Sequence, residues 1–265
     1  MKLALVYMVA GMSSRFGGKI KQLAKVTERE TLIEYSLNQA LPAGFSEIIF
    51  IVGDKTEQPF RKKFGDNYNG IPVKYCLQSF DAEKRDKPWG TADALCATKK
   101  VLDCPFVVCN GDDLYGEKAF QILASHLKTE NSCASVGYIL KNVLPEKETA
   151  NRGIFSVNKE EYMTEIREEL GISFANIREK GIKETDLCSM NIFAFQSQVP
   201  EKLNKILQDF KKANETSRTA ECLLPAVLNV FIKEGKLKIK VYVTKDKWLG
   251  ITYPGDESII QKQLK

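Results

Sequence analysis

The apolar positions of this chain alternate between unbroken runs and stretches of helical spacing. Leu3 to Ala10 is apolar throughout, as expected of a parallel strand buried on both faces, and the run stops at Gly11. Thr31 and Glu34 form a capping box ahead of Leu32, Ile33, Leu37, Ala40 and Leu41, which recur at helical spacing and predict a helix. Glu47 to Gly53 predicts a second strand, the sequence around Phe60 to Phe64 a second helix, and Val73 to Gln78 a third strand. The charged, aperiodic segment between Gln78 and Pro88 predicts a mobile loop. The helix after it would take Thr91 as N-cap and turn Ala92, Leu95 and Cys96 inward.

Pro105 to Asn110 predicts the next buried strand, ending at Gly111-Asp112-Asp113. Further on, the pattern predicts a helix over Ala119 to Leu127 and strands at Cys133 to Leu140, Gly153 to Val157, Leu187 to Phe195 and Leu237 to Thr244. Helices are expected at about 201–212 and 220–234, and a last one, which Asp256 could cap, carries Ile259, Ile260 and Leu264. Lys141 to Asn151 is polar and reads as an insertion or flexible connection. Strands alternating with helices imply an α/β fold whose central, mostly parallel sheet is flanked by helices on both faces. Ligands of such sheets bind beyond the carboxyl ends of the strands, where the Gly11 loop, Gln78 and the Asp112 turn would meet. Without repeat or long linker, residues 1–265 are expected to form one domain.

Composition narrows the chemistry. The net charge of +5 is mild and no Lys/Arg block appears, so polyphosphate substrates suit the surplus at least as well as a polynucleotide, and no nucleic acid is expected. Seven cysteines, an odd number without a C-x-x-C, sit mostly in apolar runs and read as reduced core residues of a cytoplasmic protein. The single histidine, His126, falls in a predicted surface helix, which leaves little room for Ser-His or Cys-His catalysis or a His-rich zinc site. The N-terminal apolar run is too short to span a bilayer and has no small-residue cleavage site, so neither anchor nor signal peptide nor membrane partner is expected.

The loop after the first strand carries Gly11, Ser13, Ser14, Arg15, Gly17, Gly18, Lys19 and Lys21. Glycines allow close backbone approach, exposed N–H groups can nest phosphate oxygens, and the cations add charge-assisted hydrogen bonds. It is neither a P-loop, since Ile20 follows Lys19, nor the dinucleotide fingerprint, since position 13 is Ser. Asp112 and Asp113 follow a buried strand at the sheet's carboxyl edge, where a carboxylate could hold Mg²⁺ between protein and triphosphate.

AGMSSRFGGKIKQL resembles the opening of the nucleotidyltransferases that activate sugar phosphates. Gln78 with Pro88 to Leu95, Val107 to Gly116 and Ser189 to Phe195 fit the same family in order, so the resemblance spans most of the chain. It implies a Rossmann-like fold of the nucleotide-diphospho-sugar transferase type, with a nucleotide- and metal-binding half over 1–130 and an acceptor half over 131–265. It further implies that Arg15, Lys21 and Asp112 act on the triphosphate and transition state, with Ala10, Gly11, Met12, Ser13, Gln78, Gly90 and Thr91 around the nucleotide. Gly153, Glu165, Arg167 and Asn191 would hold the acceptor, although the family's usual Glu-Lys pair is replaced in the stretch Ile166-Arg167-Glu168-Glu169. A second metal ligand is expected near the C-terminus. Gly250 stands where some members carry an Asp, and Asp256 is the nearest acid, with metal ligation and helix capping as alternative roles. Trp89 and Trp248 are candidates to stack on base or sugar, against a structural role.

The implied reaction is Mg²⁺-dependent transfer of NMP from an NTP to a sugar 1-phosphate, giving NDP-sugar and pyrophosphate. A cytidylyltransferase acting on an alcohol phosphate such as phosphocholine is the alternative within that chemistry. A glycosyltransferase would more often show Asp-x-Asp, and a nucleotide-binding regulatory module would lose the metal and loop charges. A homo-oligomer is left open.

Overall fold

The computed structural model describes residues 1–11, 18–146, 148–251 and 255–264, so the expected roles of Met12, Ser13 and Arg15 lie outside the described residues. In chain order the elements are β1 (Ala4–Met8), α1 (Leu32–Ala40), β2 (Glu47–Val52), α2 (Glu57–Phe64), β3 (Asn67–Tyr68), β4 (Ile71–Leu77), α3 (Thr91–Cys96), β5 (Phe106–Asn110) and β6 (Asp113–Leu114). They continue with α4 (Glu117–Thr129), β7 (Cys133–Ile139), β8 (Ala150–Val157), β9 (Met163–Ile172), β10 (Leu187–Phe195), α5 (Val199–Ala213), α6 (Leu224–Lys233), β11 (Ile239–Val243), β12 (Leu249–Gly250) and α7 (Asp256–Gln263).

The main sheet has the order β11-β7-β10-β5-β1-β2-β4-β3. It is parallel from β4 through β2 and β1 to β5, whereas β10 runs antiparallel to both β5 and β7. The hairpin of β8 and β9 branches off β10 through the pairs Cys188↔Ile154 and Ser189↔Gly153. Because side chains alternate across a strand, the uninterrupted apolar run of β1 feeds two cores. Leu5 and Tyr7 join Phe50, Phe60 and Phe120 under α1, α2 and α4, while Ala4, Val6 and Met8 join Leu95, Leu203 and Leu228 under α3, α5 and α6. Both faces are covered, as the fold class requires. No described helix is long and apolar enough to cross a membrane.

Local expectations met the structure unevenly. The capping box is present: Glu34 Oε2 accepts from the Thr31 N–H at 2.9 Å. Thr91, however, is the first residue of α3 and Gly90 is its N-cap, because the Thr91 hydroxyl accepts from Leu224 N–H (2.8 Å) and links α3 to α6. Asp256 likewise lies inside α7, and the capping position belongs to Gly255. His126 is on α4 but buried, its ring bridging Tyr242 Oη (3.1 Å) and Ser132 O (3.0 Å).

The segment expected to be a mobile loop is clamped. Arg85 is only 3% exposed; its guanidinium donates to Lys87 O (3.1 Å), Ser217 O (2.6 Å) and Ala220 O (2.5 Å) and lies 3.3 Å above the Trp89 ring. Arg218–Asp86 and Lys87–Glu221 ion pairs reinforce the same junction.

Candidate active site

β1 and β5 end side by side, with Met8 opposite Asn110 and Gly111 N–H donating to Met8 O (3.0 Å). The exit of β1 into the Gly11 loop and the exit of β5 into Asp112 are therefore neighbours. Buried Gln22 donates from Nε2 to Gly11 O (3.4 Å) and so ties the far end of the loop to its start. Lys21 forms an ion pair with Asp112 and donates to Ile251 O (3.3 Å), and Ile251 N–H donates to Asp112 O (3.1 Å). Three distant segments thus close on one Lys–Asp pair.

Asp113 turns inward beside it. β6 pairs antiparallel with β12, placing Gly250 opposite Asp113. The Asp113 carboxyl accepts from Asn110 Nδ2 (2.9 Å) and lies 3.1 Å from Tyr115 Oη; burial first, then the Asp112 charge, push it up to about 7. A Cβ on residue 250 would stand 2.6 Å from Asp113 Oδ1 and 2.6 Å from the Trp248 ring, so the position where some family members carry an acid is filled here by the Asp113 carboxylate and an indole. Gly250→Ala is expected to lower unfolding stability by roughly 1–3 kcal/mol through overpacking. Equilibrium denaturant unfolding checks this, and an unchanged midpoint would mean that Asp113 and Trp248 give way freely.

On the nucleotide side, Gln78 is buried and spends its amide protons on Gly90 O (3.0 Å) and Asp93 Oδ2 (2.8 Å), while Lys211 holds the other oxygen of that carboxylate, Oδ1 (2.5 Å). Gly90 adopts φ +95, and a Cβ there would stand 2.7 Å from Cys222 O, so two constraints require glycine. Trp89 is covered by Arg85 and meets Phe210 edge-on, a structural role rather than a free stacking face.

A cavity of about 290 Å³ opens at Asp112 and Asp113 and brings in Thr91, Gly153 and Asn191 from the expected set. Asn191 has φ +57 at the irregularity of β10 between Ser189 and Phe193, a left-handed backbone that Asn tolerates better than most residues. Glu165 and Arg167 do not reach the cavity: Glu165 pairs with Lys233 and Arg167 with Glu169, each at 2.8 Å. The alternation of β9 explains why, since Ile166 is buried and Glu168, opposite Gly153, lines the cavity. Burial pushes Glu168 up, and Arg152 partly offsets this. Arg152 and Trp248 complete that wall.

Asp256 lines a larger cavity of about 710 Å³ between the 142–152 segment, β12 and α7, whereas Asp112 lines the smaller one; Asn151, Arg152 and Trp248 line both. The acids at hand for a cation are Asp112 and Asp113, adjacent hard oxygen donors at the end of β5, one of them strongly desolvated. That donor chemistry fits Mg²⁺. Among the described residues, the one cluster of three ligating groups, Glu47, Asp103 and Cys104, is instead compensated by Lys2 and Lys74.

A family model described as nucleotidyl transferase matches residues 17–249. The bifunctional protein GlmU of two Staphylococcus epidermidis strains is 27% identical over 253 residues, covering 91% of this chain and 48% of the relative. The chain thus spans about half the length of the curated relatives it matches. A Bacillus anthracis protein assigned as a glucose-1-phosphate thymidylyltransferase, solved with sucrose, has the same fold at TM-score 0.72 and 13% identity over 98% of this chain and 94% of that one. The inositol-1-phosphate CTP transferase of T. maritima superposes at TM-score 0.66 with 17% identity, over 99% and 96%.

Proposed function

The chain belongs to the nucleotidyl transferase family and is a transferase, and on that premise we propose that it moves a nucleoside monophosphate from an NTP to a sugar 1-phosphate. The observation that carries this is the Lys21–Asp112 pair, held where the phosphate loop, β5 and the C-terminal segment meet, at the mouth of a cavity that Gly153 and Asn191 also line.

An acceptor phosphate oxygen attacks the α-phosphorus; the new P–O bond forms as the bond to pyrophosphate breaks. Lys21 compensates charge on the phosphates, and Arg15 is assigned the charge that develops on the transferring group. Asp112, with Asp113 beside it, would hold Mg²⁺, which when bound supplies further neutralisation of the triphosphate. Gln78, with its amide protons already engaged, offers a base only its Oε1 acceptor, and Gly90 lets the base edge approach the main chain. Residues 1–130 serve the nucleotide and 131–265 the acceptor. Seven buried free thiols suit a cytoplasmic setting.

The test is pyrophosphate release with ATP, CTP, GTP, UTP and dTTP against sugar 1-phosphates and alcohol phosphates such as phosphocholine. Acceptor-dependent release with a sugar 1-phosphate supports the proposal. Release only with an alcohol phosphate moves the acceptor class, and release with no pair overturns the reaction.

A further inference from the structure

Three buried polar side-chain atoms among the described residues have no hydrogen-bond partner, and two of them are donors on one wall: Arg152 Nε and Trp248 Nε1. Both residues line the cavity that opens at Asp112, and the guanidinium lies 5.3 Å from the indole ring. The other edges of Arg152 are fixed, Nη1 donating to Asn151 O (2.9 Å) and Nη2 to Val143 O (2.8 Å), so the guanidinium is held in place with its Nε edge unmet. Carbonyls satisfy these edges without cancelling the charge. Among the described residues Arg152 is also the one basic residue in the lining of this cavity, since Arg167 lies outside, paired with Glu169.

A half-buried cation whose buried Nε is unmet, beside a second unmet donor, is an incomplete oxyanion site, and a planar guanidinium suits phosphate better than an ammonium does. Resting on the transfer reaction proposed above, we propose that Arg152, with Trp248 Nε1, is the anion-binding pair of this chain and holds the attacking phosphate of the acceptor. Arg152 and Trp248 also line the larger cavity, but in the smaller one they share the lining with Asp112 and Asp113, so an anion held there stands beside the acids at the end of β5. Trp248 thereby gains a binding role, whereas Trp89 does not.

Arg152→Gln and Arg152→Lys variants test this with two readouts, acceptor KM in pyrophosphate release and direct binding of inorganic phosphate followed by calorimetry and by the rise in unfolding midpoint. Arg152→Gln is expected to raise acceptor KM roughly 10–100-fold, the loss of one charge-assisted hydrogen bond, with NTP KM little changed. Phosphate should no longer shift its midpoint, and Arg152→Lys should recover part of both effects. Turnover with unchanged acceptor KM and unchanged phosphate binding in Arg152→Gln overturns the assignment while leaving the reaction standing. Arg152-dependent phosphate binding without turnover on any acceptor supports the anion site and overturns the reaction instead. Should Arg152→Gln fail to fold, Arg152→Lys decides: phosphate binding equal to wild type would mean that the guanidinium fork contributes nothing and the proposed geometry is wrong.

Discussion

Asp112→Asn is expected to lower turnover by roughly 10²–10³-fold, the scale of losing one preorganised electrostatic group, while leaving the unfolding midpoint nearly unchanged. The side chain is partly exposed at a turn, and the Ile251 N–H···O bond that anchors this turn uses the Asp112 main chain, which survives the substitution. What is lost is charge: a neutral amide leaves Lys21 uncompensated and removes an anionic oxygen suited to a hard cation. Mg²⁺ should raise the melting temperature of the wild type and do so much less in the variant. Asp256→Asn serves as the contrast. Asp256 lines the larger cavity at the head of α7 and is absent from the lining that contains Asp112, so turnover and Mg²⁺ response are expected to stay at wild-type values. Reversal of the two outcomes would move the metal to the C-terminal acid.

Arg85→Ala is the substitution expected to cost most in stability, roughly 3–4 kcal/mol, from two charge-assisted hydrogen bonds of about 1.5–3 kcal/mol each with partial relaxation. Its guanidinium is the donor for Ser217 O and Ala220 O, over one hundred residues away, and packs on Trp89. The junction it holds also contains Cys222 N–H···Trp89 O (2.7 Å) and Ala92 N–H···Cys222 O (3.0 Å), which set Gly90 and Thr91 against Leu223. Loosening should therefore raise NTP KM as well. Urea unfolding together with NTP kinetics checks both; a midpoint within error of wild type would show that neighbouring ion pairs suffice.

Much of this was legible in the sequence because the relevant signals are local. The run from Leu3 to Ala10 announces a strand buried on both faces, and Thr31 with Glu34 announces a helix start. Gly11, Lys21 and Asp112 could be singled out because residue type and neighbours restrict what they can do, whereas Gly153 and Asn191 followed only from the resemblance to the family. The failures share a cause in distant partners. Arg85 within a charged stretch looks solvated until carbonyls from beyond α5 satisfy it, and His126 looks exposed until Tyr242 covers it. On β9, Glu165 and Glu168 are chemically identical and charges occur on both faces, so alternation has no polarity to report; the buried Ile166 was the signal that could have fixed it.

The seven cysteines carry a practical consequence. All are buried and unbridged, and burial holds their thiols far from the reactive form: Cys76, Cys104, Cys133 and Cys222 are pushed up to about 11, and Cys96 and Cys188 to about 12. In the native state they should be nearly inert to alkylating reagents at neutral pH, so labelling proceeds only through opening. Because they are distributed over β4, α3, β5, β7, β10 and the approaches to β5 and α6, site-resolved labelling rates would chart which parts of the molecule breathe independently, and whether nucleotide quiets Cys222 before it quiets Cys133.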